Sequence, residues 1–321
     1  MNNCINWSSE PEFHIVAFSM SSVGQLYFFL GLLIIYLMAF FGNLIIIILV
    51  CLVPNLHTPM YFFLCNLAIV DITSTSTCIP KLLTMTLTQD HKITFHCCMT
   101  QMFFFILCAN GEIFTLTSMA YDRYVAICRP LQYYTIMRKT VYIAMATFAW
   151  LVGFINSLSH TILTSILQFC YSHNINNFFC DLNSVIALSS TDVTSRKIFM
   201  FFETVLISLV QFILTIISYI FIFSAILKIR SSAGRMKALS SCISHLITVI
   251  LFYGPLMFLY MKPESEESKE QDMLLSMLYV VLVPMLNPLV YSLRNKEVWG
   301  AVVTLFKDIK VKFYLLDSTF G

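Results

Sequence analysis

Charged residues are the scarcest class in this sequence. Of its 321 residues, 11% are charged and 58% are apolar, whereas soluble globular domains average about 25% charged residues. So little charge does not cover the surface of a soluble protein, and most of the chain is therefore expected to face lipid. The formal net charge is only +2, which leaves no concentrated basic surface and argues against a nucleic-acid partner.

Two signals of a secreted soluble protein are also missing. Residues 1–24 contain Glu10, Pro11 and Glu12 but no basic stretch followed by an apolar core, so no cleavable signal peptide is predicted. The 11 cysteines are too thinly spread for a disulfide scaffold. Several stand inside apolar runs and are predicted to be packing residues, namely Cys51, Cys65, Cys78, Cys108, Cys128 and Cys242.

Apolar runs long enough to cross a bilayer, about 20 residues each, are abundant. Seven of them lie at 26–53, 59–85, 98–128, 140–162, 198–228, 239–261 and 273–292. The prediction is an all-α integral membrane protein, a seven-transmembrane helix bundle. Its parts would be an extracellular amino-terminal tail (1–25), the bundle (26–292) and a short cytoplasmic helix and tail (293–321).

Lysine and arginine predict the orientation of the bundle. Most of them lie in the connections that follow the third and fifth spans and in the carboxyl-terminal tail. The positive-inside rule places these segments in the cytoplasm and the amino terminus outside. The sequon Asn6-Trp7-Ser8 then lies where a glycan can be attached to Asn6.

One face of the third span carries two charged residues. Helical steps of three and four residues place on this face Phe105, Ala109, Glu112, Leu116, Met119 and Arg123. The stripe is roughly 27 Å long, nearly the depth of the hydrocarbon. Its aliphatic members are expected to be packing residues. Glu112 and Arg123 are expected to be functional, because an unpaired charge within a membrane is costly.

A second carboxylate, Asp71, lies in the middle of the second span. Two carboxylates at similar depth repel each other unless they share a proton or a cation. Asp71 and Glu112 are therefore predicted to face each other across a small polar cavity able to hold a sodium ion. The alternative, given equal weight, is that one carboxyl group stays protonated and is only hydrogen-bonded.

Three further polar features within the spans leave alternatives open. Glu203, in the outer half of the fifth span, either lines a ligand pocket or extends to the lipid headgroups. His245, near the inner end of the sixth span, is either a switch contact or a structural residue. The run PMLNPLVY (284–291) predicts a kink with Asn287 and Tyr291 on one face, and this kink is either a moving part or static.

Cysteines on the outer side permit a disulfide. Cys98 opens the third span and Cys180 lies in the long loop after the fourth, in an oxidising compartment. A bond between them would hold that loop over the bundle. Cys97 is an adjacent competitor for the pairing, and Cys170 would be left over.

Six segments then suggest a family. They are Gly42-Asn43, LHTPMYFFLCNLAIVD (56–71), MAYDRYVAIC (119–128), Ser218-Tyr219, KALSSCISHL (237–246) and PMLNPLVYSLRN (284–295). In these segments and their order, the chain resembles the odorant (olfactory) receptors, a branch of the rhodopsin-like G-protein-coupled receptors. The resemblance implies that Cys98, rather than Cys97, pairs with Cys180. Because Ser190 stands where the family has a further cysteine, Cys170 is expected to be a free thiol.

The resemblance also implies a function. A small odorant would bind in the outer half of the bundle and activate a stimulatory, olfactory-type heterotrimeric G protein, which raises cyclic AMP. The pocket would be lined by Phe105, Ala109, Asn110, Ile207, Leu256, Tyr260 and Met277. The activation switch would comprise Asp122, Arg123, Tyr124, Tyr219, His245, Asn287, Pro288 and Tyr291, with Arg123 held by Asp122 at rest.

The expected setting follows from the same resemblance. The protein would lie in the plasma membrane of olfactory cilia, in contact with lipid, with an accessory protein that assists its trafficking. No cofactor is expected apart from the sodium ion between Asp71 and Glu112.

Other functions fit the sequence less well. A seven-helix transporter or channel, the main alternative, needs a continuous polar path, whereas Asp71 and Glu112 form only a polar centre. A retinal-binding receptor needs a lysine in the seventh span, and residues 273–292 contain none. An enzyme is not expected, because the sequence has no HExxH or GxSxG motif.

Overall fold

The computed structural model describes residues 12–16, 20–170, 173–261, 268–293, 298 and 300. Its helices are α1 (Ser22–Leu52), α2 (Pro59–Thr88), α3 (Phe95–Cys128), α4 (Tyr133–Ile136), α5 (Lys139–Ser165), α6 (Leu182–Ile186), α7 (Thr194–Leu227), α8 (Ser232–Met261), α9 (Ser268–Met277) and α10 (Val283–Leu293). A π-helical turn, Leu278–Leu282, joins α9 to α10. Three short strands are β1 (Glu12–Ile15), β2 (Lys92–Thr94) and β3 (Asn174–Ile175).

The seven predicted spans are confirmed. Within the described residues, seven helices are long and apolar enough to cross a membrane: Ser22–Leu52, Pro59–Thr88, Phe95–Cys128, Lys139–Ser165, Thr194–Leu227, Ser232–Pro255 and Met273–Tyr291. The first six correspond to α1, α2, α3, α5, α7 and α8. The seventh is made by α9, the π-turn and α10 together.

Local signals explain where several helices begin and end. The side chains of Ser21 and Thr94 accept hydrogen bonds from the first turns of α1 and α3 and cap their amino termini. Pro59 opens α2, where its missing N–H costs nothing. Gln89 ends α2 in the left-handed conformation, with φ of 58°.

Helix α3 lies at the centre of the bundle and packs against α2, α5, α7 and α8. Close backbone approach sets two of the helix contacts. A Cβ atom at Gly111 of α3 would lie 3.1 Å from a methyl group of Val70 in α2, and one at Gly42 of α1 would lie 2.9 Å from Cγ of Pro288 in α10. The absence of a side chain at these glycines lets the helices meet.

A small sheet, which the sequence analysis did not predict, closes one end of the bundle. Strand β1 lies between β2, to which it is antiparallel, and β3, to which it is parallel. Phe13 of β1 is fully buried, and its ring lies 6.1 Å from that of Phe95 and 5.3 Å from that of Phe169. The sheet thus joins the amino-terminal segment to the loops after α2 and α5, in agreement with the predicted topology.

Candidate functional site

Asp122 and Arg123, at the cytoplasmic end of α3, form an ion pair. The Arg123 guanidinium donates to Oδ2 of Asp122 at 2.5 and 3.1 Å, and the Tyr133 hydroxyl donates to Oδ1 at 2.8 Å. Burial and the Asp122 carboxylate raise the pKa of Tyr133, which keeps its hydroxyl protonated and able to donate. The ring of Tyr124 lies 5.8 Å from that of Phe221 in α7. In this arrangement Asp122 and Tyr133 restrain the arginine.

His245 joins three helices near the same end. Its Nδ1 lies 2.5 Å from the Tyr219 hydroxyl of α7, and its Nε2 lies 3.0 Å from the carbonyl oxygen of Leu116 in α3. A carbonyl oxygen only accepts, so Nε2 carries the proton and Nδ1 accepts from Tyr219. His245 is fully buried. This single side chain therefore ties α8 to α3 and α7.

Proline changes the hydrogen bonding of α10. Pro288 has no N–H to offer the carbonyl of Pro284 four residues earlier, and that oxygen accepts instead from Nδ2 of Asn43 in α1 at 2.9 Å. The Ser244 hydroxyl of α8 donates to the carbonyl oxygen of Val290 at 3.0 Å. Tyr291 is buried nearby. The predicted break is thus bonded to two neighbouring helices.

The two buried acids have separate hydrogen-bond donors. Nδ2 of Asn287 donates to both oxygens of Asp71, at 2.9 and 3.2 Å, and the Tyr279 hydroxyl donates to Oε2 of Glu112 at 3.0 Å. In the described part of the chain, Oε1 of Glu112 and Oδ1 of Asn287 have no hydrogen-bond partner. Two buried acceptor oxygens without donors lie at the predicted polar centre.

The predicted pocket residues differ in their contacts and burial. The ring of Phe105 lies 4.7 Å from that of Phe179 in the outer loop and 6.3 Å from that of Tyr279. Asn110 donates to the Ile106 carbonyl at 2.9 Å and to Oδ1 of Asn156 in α5 at 3.4 Å. Half-buried positions are occupied by Ala109, Ile207 and Met277. The side chains of Leu256 and Tyr260 lie outside the described residues, as do Asn6 and nearly all of 293–321.

Glu203 has partners that the sequence analysis missed. Nδ2 of Asn156 donates to its Oε1 at 2.6 Å, and Nε2 of His160 lies 3.2 Å from its Oε2. The interpretation that Glu203 extends to the lipid headgroups is therefore wrong, because its carboxylate faces α5. Asn156 and His160 stand four residues apart on the fourth span, and that polar spacing is the signal that could have revealed them.

The outer cysteines partly follow the prediction. Cys98 and Cys180 form a disulfide, with their Cα atoms 5.4 Å apart, while Cys97 is free and exposed. Cys170 is also disulfide-bonded, so the prediction of a free thiol is wrong. Its backbone N–H does lie against the Ser190 hydroxyl, at 2.8 Å. Ser190 therefore occupies the expected neighbouring position, but it does not determine the state of the Cys170 sulfur.

A seven-helix membrane bundle, with an Asp-Arg-Tyr triplet ending its central helix, defines the class of G-protein-coupled receptors. A sequence model described as olfactory receptor matches residues 32–309. The chain is 43% identical to olfactory receptor 5AR1 of Mus musculus over 296 residues, covering 92% of this chain and 96% of that one. It is also 43% identical to olfactory receptor 1J4 of Homo sapiens over 306 residues, covering 95% and 98%. The chain belongs to the olfactory receptor family, whose members are multi-pass, odorant-sensing receptors that couple to G proteins.

Proposed function

We propose that this receptor binds a small, weakly polar odorant in the outer half of the bundle and activates a stimulatory, olfactory-type G protein, raising cyclic AMP. The observation that carries the proposal is the position of α3. This one central helix bears Phe105 and Asn110 toward its outer end and the restrained Arg123 at its cytoplasmic end. A ligand that binds the active arrangement better than the resting one shifts the equilibrium between them.

The cytoplasmic contacts suggest which bonds must break. Outward movement of α8 separates His245 from Tyr219 and from the Leu116 carbonyl, and release of Arg123 from Asp122 frees it to meet the G protein. A neutral hydrogen bond such as those of His245 contributes about 0.5–1.5 kcal/mol net, and one to a charged group, as between Arg123 and Asp122, contributes about 1.5–3 kcal/mol. An odorant that binds the active arrangement about tenfold more tightly than the resting one shifts their ratio up to about tenfold, which offsets about 1.4 kcal/mol of these contacts.

We also propose that the polar centre holds a sodium ion. Hard cations prefer oxygen ligands, and the candidate ligands are the carboxylates of Asp71 and Glu112 together with Oδ1 of Asn287. The last of these and Oε1 of Glu112 are buried without a donor among the described residues. In this proposal the ion holds α2, α3 and α10 together at rest. Basal cyclic AMP should then fall as external sodium rises, and Asp71→Asn should remove that dependence.

The cellular setting is part of the same proposal. Large apolar side chains are exposed along α1, α5 and α7, including Ile34, Phe148 and Phe221, and they suit contact with lipid tails. We place the receptor in the plasma membrane of olfactory cilia, where an accessory protein assists its trafficking. Surface labelling with and without co-expressed trafficking proteins from olfactory neurons tests the second point.

Cyclic AMP measurements test the proposed signalling. Cells expressing the receptor with an olfactory-type stimulatory G protein are screened against a diverse odorant panel. At least one odorant should raise cyclic AMP in a dose-dependent manner, and Arg123→Ala should abolish the rise without changing surface labelling. Arg138→Ala, which removes an exposed arginine on the same side, serves as the control and should keep most of the response. A response that survives in Arg123→Ala would contradict the switch.

A further inference from the structure

A network of four polar side chains crosses the outer half of the bundle and links α3, α5 and α7. Asn110 donates to Asn156 at 3.4 Å, Asn156 donates to Oε1 of Glu203 at 2.6 Å, and Nε2 of His160 lies 3.2 Å from Oε2. Oε1 of Glu203 therefore accepts a hydrogen bond, whereas Oε2 lies at ion-pair distance from His160 and has no hydrogen-bond partner among the described residues. This network extends from the predicted pocket residue Asn110 to His160, which is not one of the predicted pocket residues.

His160, at the end of this network, has one ring nitrogen without a hydrogen-bond partner among the described residues. The residue is 3% exposed, and its Nδ1 is buried without a hydrogen-bond partner in the part of the chain that the structure describes. Nδ1 presents a lone pair or an N–H in the neutral ring, depending on the tautomer, and an N–H in the protonated ring. In either state a buried polar atom lacks the partner that native proteins normally provide.

A cavity near His160 is lined by Leu163 and Thr164 of α5, which follow the histidine by about one helical turn. It measures about 230 Å³ and lies between the outer ends of α5 and α7, which makes it larger than the roughly 150 Å³ engineered cavity that holds benzene. Its walls are mainly apolar and include Leu163, Leu167, Phe199 and Met200. Arg196 at its edge donates to the Leu163 carbonyl. On α5, Thr164 of the cavity follows His160 by one turn, and on α7, Met200 precedes Glu203 by three residues.

We propose that His160 is the specificity-determining residue of this receptor and that it hydrogen-bonds a hydroxyl group of the odorant. The ligand class is therefore a small alcohol or phenol, whose hydrocarbon part occupies the cavity between α5 and α7. A hydroxyl group satisfies Nδ1 in both protonation states, since it donates to the lone pair or accepts from the N–H. The inference rests on the proposed function as an odorant receptor.

Other polar ligands suit the site less well. A carboxylate would meet the like charge of Glu203. An ammonium group cannot accept from a protonated Nδ1, and it would carry a full charge into a lipid-surrounded site. An ether or a ketone only accepts, so it pairs with Nδ1 only when that nitrogen carries a proton.

Paired ligands test the proposal in the cyclic AMP assay. The probes are straight-chain 1-alkanols and alkylphenols, each with its methyl ether, together with alkylamines and carboxylic acids of the same carbon skeletons. At least one alcohol or phenol should be more potent than its ether by about tenfold, the contribution of one hydrogen bond. This comparison uses the unaltered receptor and does not depend on any variant folding.

Variants then assign the preference to the histidine. His160→Phe should bring each alcohol-to-ether potency ratio close to one, whereas His160→Gln, which keeps a donor and an acceptor, should retain part of it. Ser159→Ala is the control, because among the described residues that hydroxyl donates only to the Asn156 carbonyl of its own helix. Surface labelling accompanies every variant.

The outcomes separate this inference from the proposed function. Equal potency of alcohols and ethers, a preference that survives in His160→Phe, or strongest activation by amines or acids would overturn the hydroxyl assignment while the receptor function stands. If no compound in the hydroxyl panel or the diverse odorant panel raises cyclic AMP in cells that display the receptor, both the proposed function and the inference fail.

Discussion

The outer end and the cytoplasmic half of this receptor are held together by different interactions. At the outer end, three separate chain segments are joined by backbone pairing in the β-sheet, by the Cys98–Cys180 disulfide and by buried rings such as Phe13 and Phe179. In the cytoplasmic half, helices are linked by single side-chain hydrogen bonds, among them Tyr219 to His245 and Ser244 to the Val290 carbonyl.

This difference predicts a rigid outer end and a cytoplasmic half that can change its arrangement. A disulfide contributes about 2–4 kcal/mol and is not broken by thermal motion, so we expect the outer end to keep one arrangement around the proposed ligand site. Single hydrogen bonds contribute about 0.5–1.5 kcal/mol each, so the cytoplasmic helices are able to exchange partners. The comparison therefore predicts that damage at the outer end lowers the amount of folded receptor, while damage at the cytoplasmic end changes its activity.

The largest effect is expected for Cys98→Ser. Loss of the bond to Cys180 should destabilise the receptor by about 2–4 kcal/mol. Surface labelling should therefore fall to a small fraction of the wild-type signal. Cys97→Ser changes a free, exposed cysteine and should leave surface labelling unchanged. If the two variants behave alike, the disulfide is not what maintains the outer end.

Gly42→Ala should have the next largest effect. The added Cβ would lie 2.9 Å from Cγ of Pro288, so α1 and α10 must move apart at a cost of about 1–3 kcal/mol. The thermal unfolding midpoint of the purified receptor should fall by several degrees. Gly31→Ala in the same helix meets nothing within 4 Å and should not lower the midpoint. A midpoint that falls equally in both variants would rule out the Pro288 contact as the cause.

Tyr219→Phe should alter activity more than stability. The variant keeps the ring but loses the hydroxyl that donates to His245, which removes about 0.5–1.5 kcal/mol from the resting arrangement. Basal cyclic AMP should rise by a factor of up to about ten, with little change in surface labelling. Ser218→Ala is the control, because in the part of the chain that the structure describes this hydroxyl bonds only the Leu214 carbonyl of its own helix. A fall in basal signalling would mean that this hydrogen bond belongs to the active arrangement.

The smallest effect is expected for Lys92→Ala, at the outer sheet. Lys92 pairs with Glu12 at 3.0 Å, but the two side chains are 54% and 44% exposed, and such pairs contribute little. The hydrogen bond and charge of Glu12 raise the pKa of Lys92, so the lysine is charged at neutral pH, and on the alkaline side the pair is lost as pH rises through the raised pKa. Surface labelling at neutral pH should not change. A marked loss would show that the sheet depends on this charge pair.

The sequence predicted those features that depend on local composition. Span number and orientation follow from apolar length and from the placement of lysine and arginine, and the structure confirms the seven spans. The sheet escaped prediction because β1, β2 and β3 have only four, three and two residues, too few to show an alternating pattern. The partners of Glu203 escaped it because they lie on another helix, 43 and 47 residues away along the chain.

Sequence by itself determined that this chain is a seven-helix membrane protein of the olfactory receptor family, because lipid requires long apolar helices and the family's motifs are contiguous strings. Only the tertiary structure decided which buried polar atoms meet, including Asn43 with the Pro284 carbonyl, His245 with Tyr219, and His160 with Glu203. It also decided that Cys170 is bonded rather than free. The physical reason is that a hydrogen bond or a disulfide requires two atoms to lie within a few ångströms, and that distance is set by helix packing rather than by position along the chain.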